Sequence, residues 1–125
     1  MTDAAFSILI PGEFPGLNEV TAANRTNRFA GATQKRRATE TVAQYLEACR
    51  IKPLLARRYS WRFTWYCTDR RRDPDNISSA CKFVFDGLQK AGVLDNDGWS
   101  QVGEISHRFF IDQQPGVLVE AFAPW

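Results

Sequence analysis

The chain has 125 residues, of which 44% are hydrophobic and 24% are charged, and its formal net charge is +2. This length and composition predict a single domain over residues 1–125 and exclude a fibrous or intrinsically disordered chain. The apolar run at residues 6–10 is too short to cross a membrane and lacks the basic start of a signal peptide, so we expect a cytoplasmic protein.

Basic and acidic residues are segregated along the chain. Residues 1–72 carry 13 of the 16 Lys and Arg, and residues 73–125 carry 8 of the 14 Asp and Glu. A basic region is the electrostatic signature of binding to a polyanion such as nucleic acid. An acidic region beside it would repel phosphate unless cations lie among the acids. The alternative is a solvated surface on which opposite charges pair, and charge alone does not decide between the two.

The amino-terminal half contains an apolar run, a polar stretch and a helical pattern. Residues 5–10 predict a short strand, which Pro11 and Gly12 end. Residues 17–32 are rich in Asn, Thr and Arg and show no clean period, so they predict a long loop. Apolar residues at helical spacing over residues 33–52 predict the first helix.

The carboxy-terminal half predicts one helix and three strands. Residues 59–68 alternate apolar and polar side chains, as a strand with one buried face does, and residues 76–91 predict the second helix. Residues 101–111 and 117–121 are expected to pair as a hairpin around the turn at 113–116. The order is therefore β-α-β-α-β-β. It predicts an α+β fold with a small mixed sheet and two helices, in which the helices cover one face or a dimer covers the other.

Two aspartates stand between the Arg run and the second predicted helix. Because Asp73 precedes Pro74, its backbone is pushed towards an extended conformation, in which side chains two residues apart point to the same side. Asp73 and Asp75 can therefore present their carboxylates together, and their mutual repulsion favours a bound cation. Magnesium suits such a site because it takes few protein oxygens and keeps water or substrate phosphate as its other ligands. A third carboxylate would come from Asp97, in the turn after the helix.

The same acids have a purely structural interpretation. Asp-Pro is a common helix opening, in which Asp73 would cap the helix and Pro74 would lie in its first turn. Residues 95–98, Asp-Asn-Asp-Gly, are typical of a tight turn. An aspartate at a helix start can also serve as both cap and metal ligand.

Lys82 lies on the polar side of the second predicted helix, on one stripe with Asp75, Ser79 and Asp86. In a nuclease, its ammonium group would stabilise negative charge on the phosphate or position the attacking water. The alternative is a surface ion pair between Lys82 and Asp86 at the i,i+4 spacing.

These residues belong to blocks that occur in a fixed order: RRRDPDN at 70–76, KFVFDGLQKAGV at 82–93 and DNDGWSQV at 95–102. A segment containing Pro and Asn, PGEFPGLNEVTAANRTNRFAGA, precedes them at 11–32. With these blocks the sequence resembles the RusA family of Holliday junction resolvases, small endonucleases of bacteria and their prophages. The resemblance covers roughly residues 8–105.

The resemblance implies a homodimer that cuts four-way DNA junctions with Mg²⁺, through paired symmetric nicks, in DNA recombination and repair. It implies a bacterial or phage-encoded protein of the cytoplasm with a RusA-like fold. Asp73, Asp75 and Asp97 match the metal-binding aspartates of the family, and Lys82 matches its catalytic lysine. Some members place that lysine three residues after the Asn of the Asp-x-Asp-Asn motif, where this chain has Ser79, so Lys82 lies about one helical turn further along.

Under this interpretation the basic half binds the junction arms through their phosphates, without reading bases. The candidate DNA-binding residues are Arg25, Arg28, Lys35, Arg36, Arg37, Arg70, Arg71 and Arg72. Three alternatives stay open: a non-catalytic protein that binds DNA junctions, a Mg²⁺ nuclease acting on other branched DNA, and a protein-interaction module with a charged surface.

Overall fold

A computed structural model describes residues 3–123, which form a four-stranded mixed sheet and four helices. The elements in chain order are β1 (Phe6–Pro11), α1 (Leu17–Thr26), α2 (Ala30–Ala48), β2 (Tyr59–Cys67), α3 (Pro74–Ser78), α4 (Cys81–Lys90), β3 (Val102–Ile111) and β4 (Gly116–Phe122). The predicted α+β class and mixed sheet are confirmed. Among the described residues, no helix is long and apolar enough to cross a membrane.

The strands lie in the order β1-β4-β2-β3, with β4 antiparallel to both of its neighbours and β2 parallel to β3. The predicted hairpin between the last two strands is therefore wrong, because β2 lies between them. The burial of the two strands gives the physical reason. Val117, Val119 and Ala121 of β4 are fully buried and belong at the centre of the sheet, whereas most side chains of β3 are exposed, as at an edge.

One face of the sheet forms the core. Trp61, Phe63 and Trp65 of β2 point to this face, as their alternation predicts, and they are all buried. Phe85 of α4 packs edge-on against two of these rings, with centroids 5.3 Å from Trp61 and 5.4 Å from Phe63. Helix α4 therefore lies directly on this face. The other face carries polar pairs such as Arg62 with Glu120 at 2.9 Å.

Residues 17–32, predicted as a loop, contain helix α1. Glu19 supports the start of this helix by accepting a hydrogen bond from the backbone N–H of Gly16, at 3.2 Å. Val20 is the one buried residue of α1, and Asn, Thr and Arg residues outnumber its apolar ones, so its sequence is similar to that of a polar loop. The predicted helix over 33–52 is α2, which begins three residues earlier and ends before Arg50, whose φ is 55°.

The helix predicted over 76–91 is two helices, with a break at Ser79 and Ala80. The Ser79 hydroxyl donates to the carbonyl of Asn76 at 2.5 Å and accepts from the N–H of Leu17 at 2.8 Å. The N–H of Ala80 also bonds three residues back, to the carbonyl of Ile77, so the turn is tighter than an α-helix. The break separates residues 73–75, which we call the acidic segment, from α4, which carries the candidate Lys82.

Helices α2 and α4 approach most closely at Gly87. A Cβ atom at this position would lie 2.4 Å from the nearest side-chain carbon of Val42. Gly87 is therefore required for close packing, although glycine within a helix is otherwise unfavourable.

We predict that Gly87→Ala destabilises the protein by about 1–3 kcal/mol, because the added methyl group overpacks the contact with Val42. At an open helical position the same change would stabilise it by up to about 1 kcal/mol, so the sign of the effect tests the packing. Urea unfolding of both proteins measures it, with Gln89→Ala in the same helix as a control. A gain in stability for Gly87→Ala would contradict the packing of α2 on α4.

Candidate functional site

Asp73 and Asp75 lie where the chain leaves the sheet and enters α3. Asp73 is extended, with φ −73° and ψ 152°, and Pro74 is the first residue of the helix. Both carboxylates are exposed. The side chain of Asp73 makes no capping hydrogen bond, and one oxygen of Asp75 accepts from the N–H of Asn76 at 2.9 Å. The two carboxylates are therefore open to a ligand from solvent.

A hydrogen-bonded cluster beneath this segment joins it to α1. The carboxylate of Glu19 accepts from Arg72 at 3.0 Å through one oxygen and from the side-chain amide of Asn76 at 2.7 Å through the other. Arg72 also donates to the carbonyl of Phe14 at 2.8 Å. The amide oxygen of Asn76 accepts from the N–H of Asn18 at 2.9 Å. The acidic segment is thus held on both sides by the amino-terminal region.

The hydrogen bonds to Glu19 outweigh its partial burial. Burial opposes ionisation, but the bonds from Asn76, the N–H of Gly16 and Arg72 together lower the pKa of Glu19 below its usual value. Sequence reasoning missed this residue, because its partners lie 53 and 57 positions away and no local spacing signals the contact.

Lys82 forms two ion pairs, with Asp86 at 2.9 Å and with Asp97 at 3.1 Å. The i,i+4 pair predicted from the sequence is therefore present. A second pair joins α4 to the turn at residues 95–98, which we call the acidic turn. Hydrogen bonds to Asp86 and then to Asp97 raise the pKa of Lys82 above its usual value, so the amine stays protonated near neutral pH.

The acidic turn is anchored in the core through Gln101, which is 2% exposed. Its side-chain oxygen accepts from the N–H of Asn96 at 2.9 Å, and its carbonyl accepts from the indole of Trp61 at 3.1 Å. Within the turn, the side chain of Asn96 accepts from the N–H of Gly98 at 2.9 Å. These bonds fix the backbone that presents Asp97.

The structure does not gather the three predicted metal-binding aspartates into one cluster. In residues 3–123, no three His, Cys, Asp or Glu side chains lie close enough together to hold one metal ion. Asp97 is paired with Lys82 and is not gathered with Asp73 and Asp75. A pair of open carboxylates still fits Mg²⁺, which often takes only one or two from the protein. The role of Asp97 as a third ligand stays a prediction.

Basic residues proposed for DNA line more than one cleft. Lys35 of α2 lines a cleft of about 290 Å³ together with Lys82 and Asp86. Arg70 lines a second cleft, of about 410 Å³, together with Asp73. The exposed candidates are Arg25, Arg28, Lys35, Arg36, Arg37, Arg70 and Arg71.

Arg72 differs from the other basic candidates. It is half-buried, and its guanidinium is engaged by Glu19 and by the carbonyl of Phe14. Its contacts therefore hold the acidic segment, whereas Arg71 beside it has only a loose pair with Asp69 at 3.6 Å. Arg70 and Arg71 are the members of the Arg run that are free to meet a ligand in solvent.

Comparison with known proteins adds no assignment: no family model matches the sequence, and no curated protein matches it. The resemblance to the RusA family therefore rests on the ordered motifs around the acidic segment.

Proposed function

We propose that the protein is a RusA-like, Mg²⁺-dependent endonuclease that resolves four-way DNA junctions by paired, symmetric phosphodiester cleavage. The proposal includes a role in DNA recombination and repair in the bacterial cytoplasm, as a host or phage-encoded protein. One observation carries it: Asp73 and Asp75 present open carboxylates at the start of α3, and the exposed Arg70 and Arg71 precede them in the chain with only Arg72 between. Exposed carboxylates can hold a divalent cation, and exposed arginines beside them can bind the phosphate that the cation would contact.

Asp73 and Asp75 would hold the cation. Asp97 would be the third ligand, and it would have to leave its ion pair with Lys82 to join them. When bound, the cation supplies a Lewis acid for the phosphate and lowers the pKa of water. The exposed arginines on the amino-terminal side of the pair would hold the phosphate backbone at the cation. Two short acidic side chains with few internal hydrogen bonds are free to reorient toward it.

Lys82 would contribute positive charge at the scissile phosphate. Its raised pKa keeps it an ammonium group, which can donate to a phosphate oxygen but cannot act as a base near neutral pH. Asp86 and Asp97 hold the amine of Lys82, which lines one cleft together with Lys35. Lys82 and Lys35 would therefore contact the same ligand.

DNA binding would depend on phosphate contacts. The exposed bases of α1 and α2, together with Arg70 and Arg71, would supply these contacts. None of these side chains requires a particular base, so the protein would recognise the shape and charge of the junction.

The homodimer has support in the exposed apolar residues of β3. This strand is a ten-residue edge, and Ile105, Phe109, Phe110 and Ile111 are 36–51% exposed on it. A long apolar edge strand is covered in stable proteins. We propose a second copy of this chain as the partner, because paired nicks require two acidic sites in one assembly.

Phe110→Asp should separate the dimer into monomers, because it replaces a half-exposed aromatic ring of the proposed interface with a charged carboxylate. We expect the dimer to weaken by about 2 kcal/mol or more, a factor of about 30 in the dissociation constant. Sedimentation measures it, with Leu55→Asp, at an exposed loop position, as the matched control. A wild-type protein that stays monomeric at high concentration, or an unaffected Phe110→Asp dimer, would count against β3 as the interface.

Asp75→Asn should abolish junction cleavage while leaving junction affinity within about tenfold of the wild type. The amide can still accept the hydrogen bond from Asn76, but it is a poor ligand for Mg²⁺. Cleavage and binding of a labelled four-way junction measure the two effects. Asp112→Asn is the matched control, because Asp112 is also exposed and accepts a backbone hydrogen bond.

Equal losses of binding and cleavage in Asp75→Asn would argue against a metal role for this carboxylate. Full cleavage by the same variant would exclude it.

A second function is favoured by one observation. Lys82 neutralises Asp97, and the described acids form no cluster of three. A non-catalytic protein that binds DNA junctions needs no such cluster. It would bind the junction tightly and leave it uncut with Mg²⁺ or Mn²⁺, which separates the two functions.

A further inference from the structure

We propose that Glu19 is a positioning residue of the acidic site, which fixes the backbone that carries Asp73 and Asp75. This inference rests on the proposed function, because it assigns a further residue to the same site. Glu19 lies in the region predicted from the sequence to be a loop, and its carboxylate binds Arg72 and Asn76, the two residues that flank Asp73-Pro74-Asp75.

Glu19 contacts Arg72 and Asn76 through different oxygens of its carboxylate. One oxygen of Glu19 lies 3.0 Å from the guanidinium of Arg72, and the other lies 2.7 Å from the amide of Asn76. The first oxygen also accepts from the N–H of Gly16 at 3.2 Å, which ties the carboxylate to the start of its own helix. The Glu19 side chain therefore binds the residues on both sides of the acidic segment, and its own position is fixed by the bond to Gly16.

Asn76 is closely packed and only 5% exposed. A Cβ atom added to Gly16 would lie 2.3 Å from the carbonyl oxygen of Asn76, so the two backbones are in close contact. The N–H of Asn18 and the hydroxyl of Ser79 complete the hydrogen bonds of Asn76. A shift of Asn76 would break several bonds at once, and Glu19 makes the shortest bond to its side chain.

A carboxylate beside a phosphate-binding surface is unfavourable unless a cation compensates it, and Arg72 does so. The contact uses an arginine that would otherwise be available to DNA. Polar groups that orient metal-binding carboxylates typically change metal affinity or activity by about 10–100-fold when they are removed. We expect an effect of this size from Glu19.

The experiment measures Mn²⁺ binding without DNA, by calorimetry and by electron paramagnetic resonance, in the wild type, in Glu19→Gln and in Glu19→Asp. Asp75→Asn identifies the acidic site. We expect Glu19→Gln to bind Mn²⁺ about 10–100-fold more weakly. Glu19→Asp keeps the charge but is one methylene shorter, so it cannot reach Arg72 and Asn76 together. Its affinity should fall as well, which separates positioning from long-range charge.

Glu120→Gln is the matched control. Glu120 forms an equally short pair with Arg62, at 2.9 Å, on the opposite face of the sheet. Its loss should lower the melting temperature and leave Mn²⁺ affinity unchanged. Thermal unfolding of every variant shows that Mn²⁺ affinity is compared between folded proteins, and Glu19→Asp serves where Glu19→Gln unfolds.

Two outcomes are decisive and distinct. Wild-type Mn²⁺ affinity in both folded Glu19 variants, or a loss in Glu19→Gln alone with Glu19→Asp unaffected, would overturn the positioning role and leave the proposed function intact. A wild-type protein that binds no Mn²⁺ through Asp75 would overturn the proposed function itself.

Discussion

The buried side chain of Asn76 constrains the whole site. Its amide donates to Glu19 and accepts from the N–H of Asn18, so both of its polar atoms are satisfied by α1. A buried amide without partners costs about 1–3 kcal/mol, which favours the docking of α1 on the acidic segment. The short helix α3, the break at Ser79 and the extended backbone of Asp73 all accompany this docking.

The distribution of charge around the acidic segment follows from the same contacts. Arg72 compensates Glu19, and Lys82 is shared between Asp86 and Asp97. Asp73 and Asp75 have no basic partner among the described residues, although three arginines precede them. Arg72 turns inward to Glu19, and the other two remain in solvent. This arrangement leaves two carboxylates uncompensated in a region of positive charge, which is the physical basis for expecting a cation between them and a phosphate.

Local sequence patterns predicted where the strands lie and the extended backbone at Asp73. The alternation of Trp61, Phe63 and Trp65 was sufficient for β2, and Pro74 was sufficient for the extended backbone before α3. The spacing of Lys82 and Asp86 predicted their ion pair. Each of these features depends on residues within a few positions of one another, where a sequence pattern carries the information.

The features that were missed depend on distant contacts. Helix α1 buries only Val20, so its formation depends on docking rather than on an apolar stripe. The place of β4 between β1 and β2 depends on how four strands share one core, and sequence neighbours alone suggested a hairpin with β3. Glu19 could not be predicted as part of the site because Arg72 and Asn76 lie more than fifty residues away.

We propose that this chain cuts branched DNA with a cation held by the acidic segment. The most direct measurement is cleavage by the wild-type protein of a labelled four-way junction, beside a linear duplex of the same sequence, with and without Mg²⁺. We predict paired, symmetric nicks in the junction alone, and only when Mg²⁺ is present. Equal cutting of both substrates, cutting that needs no metal, or tight junction binding without any cleavage would contradict it.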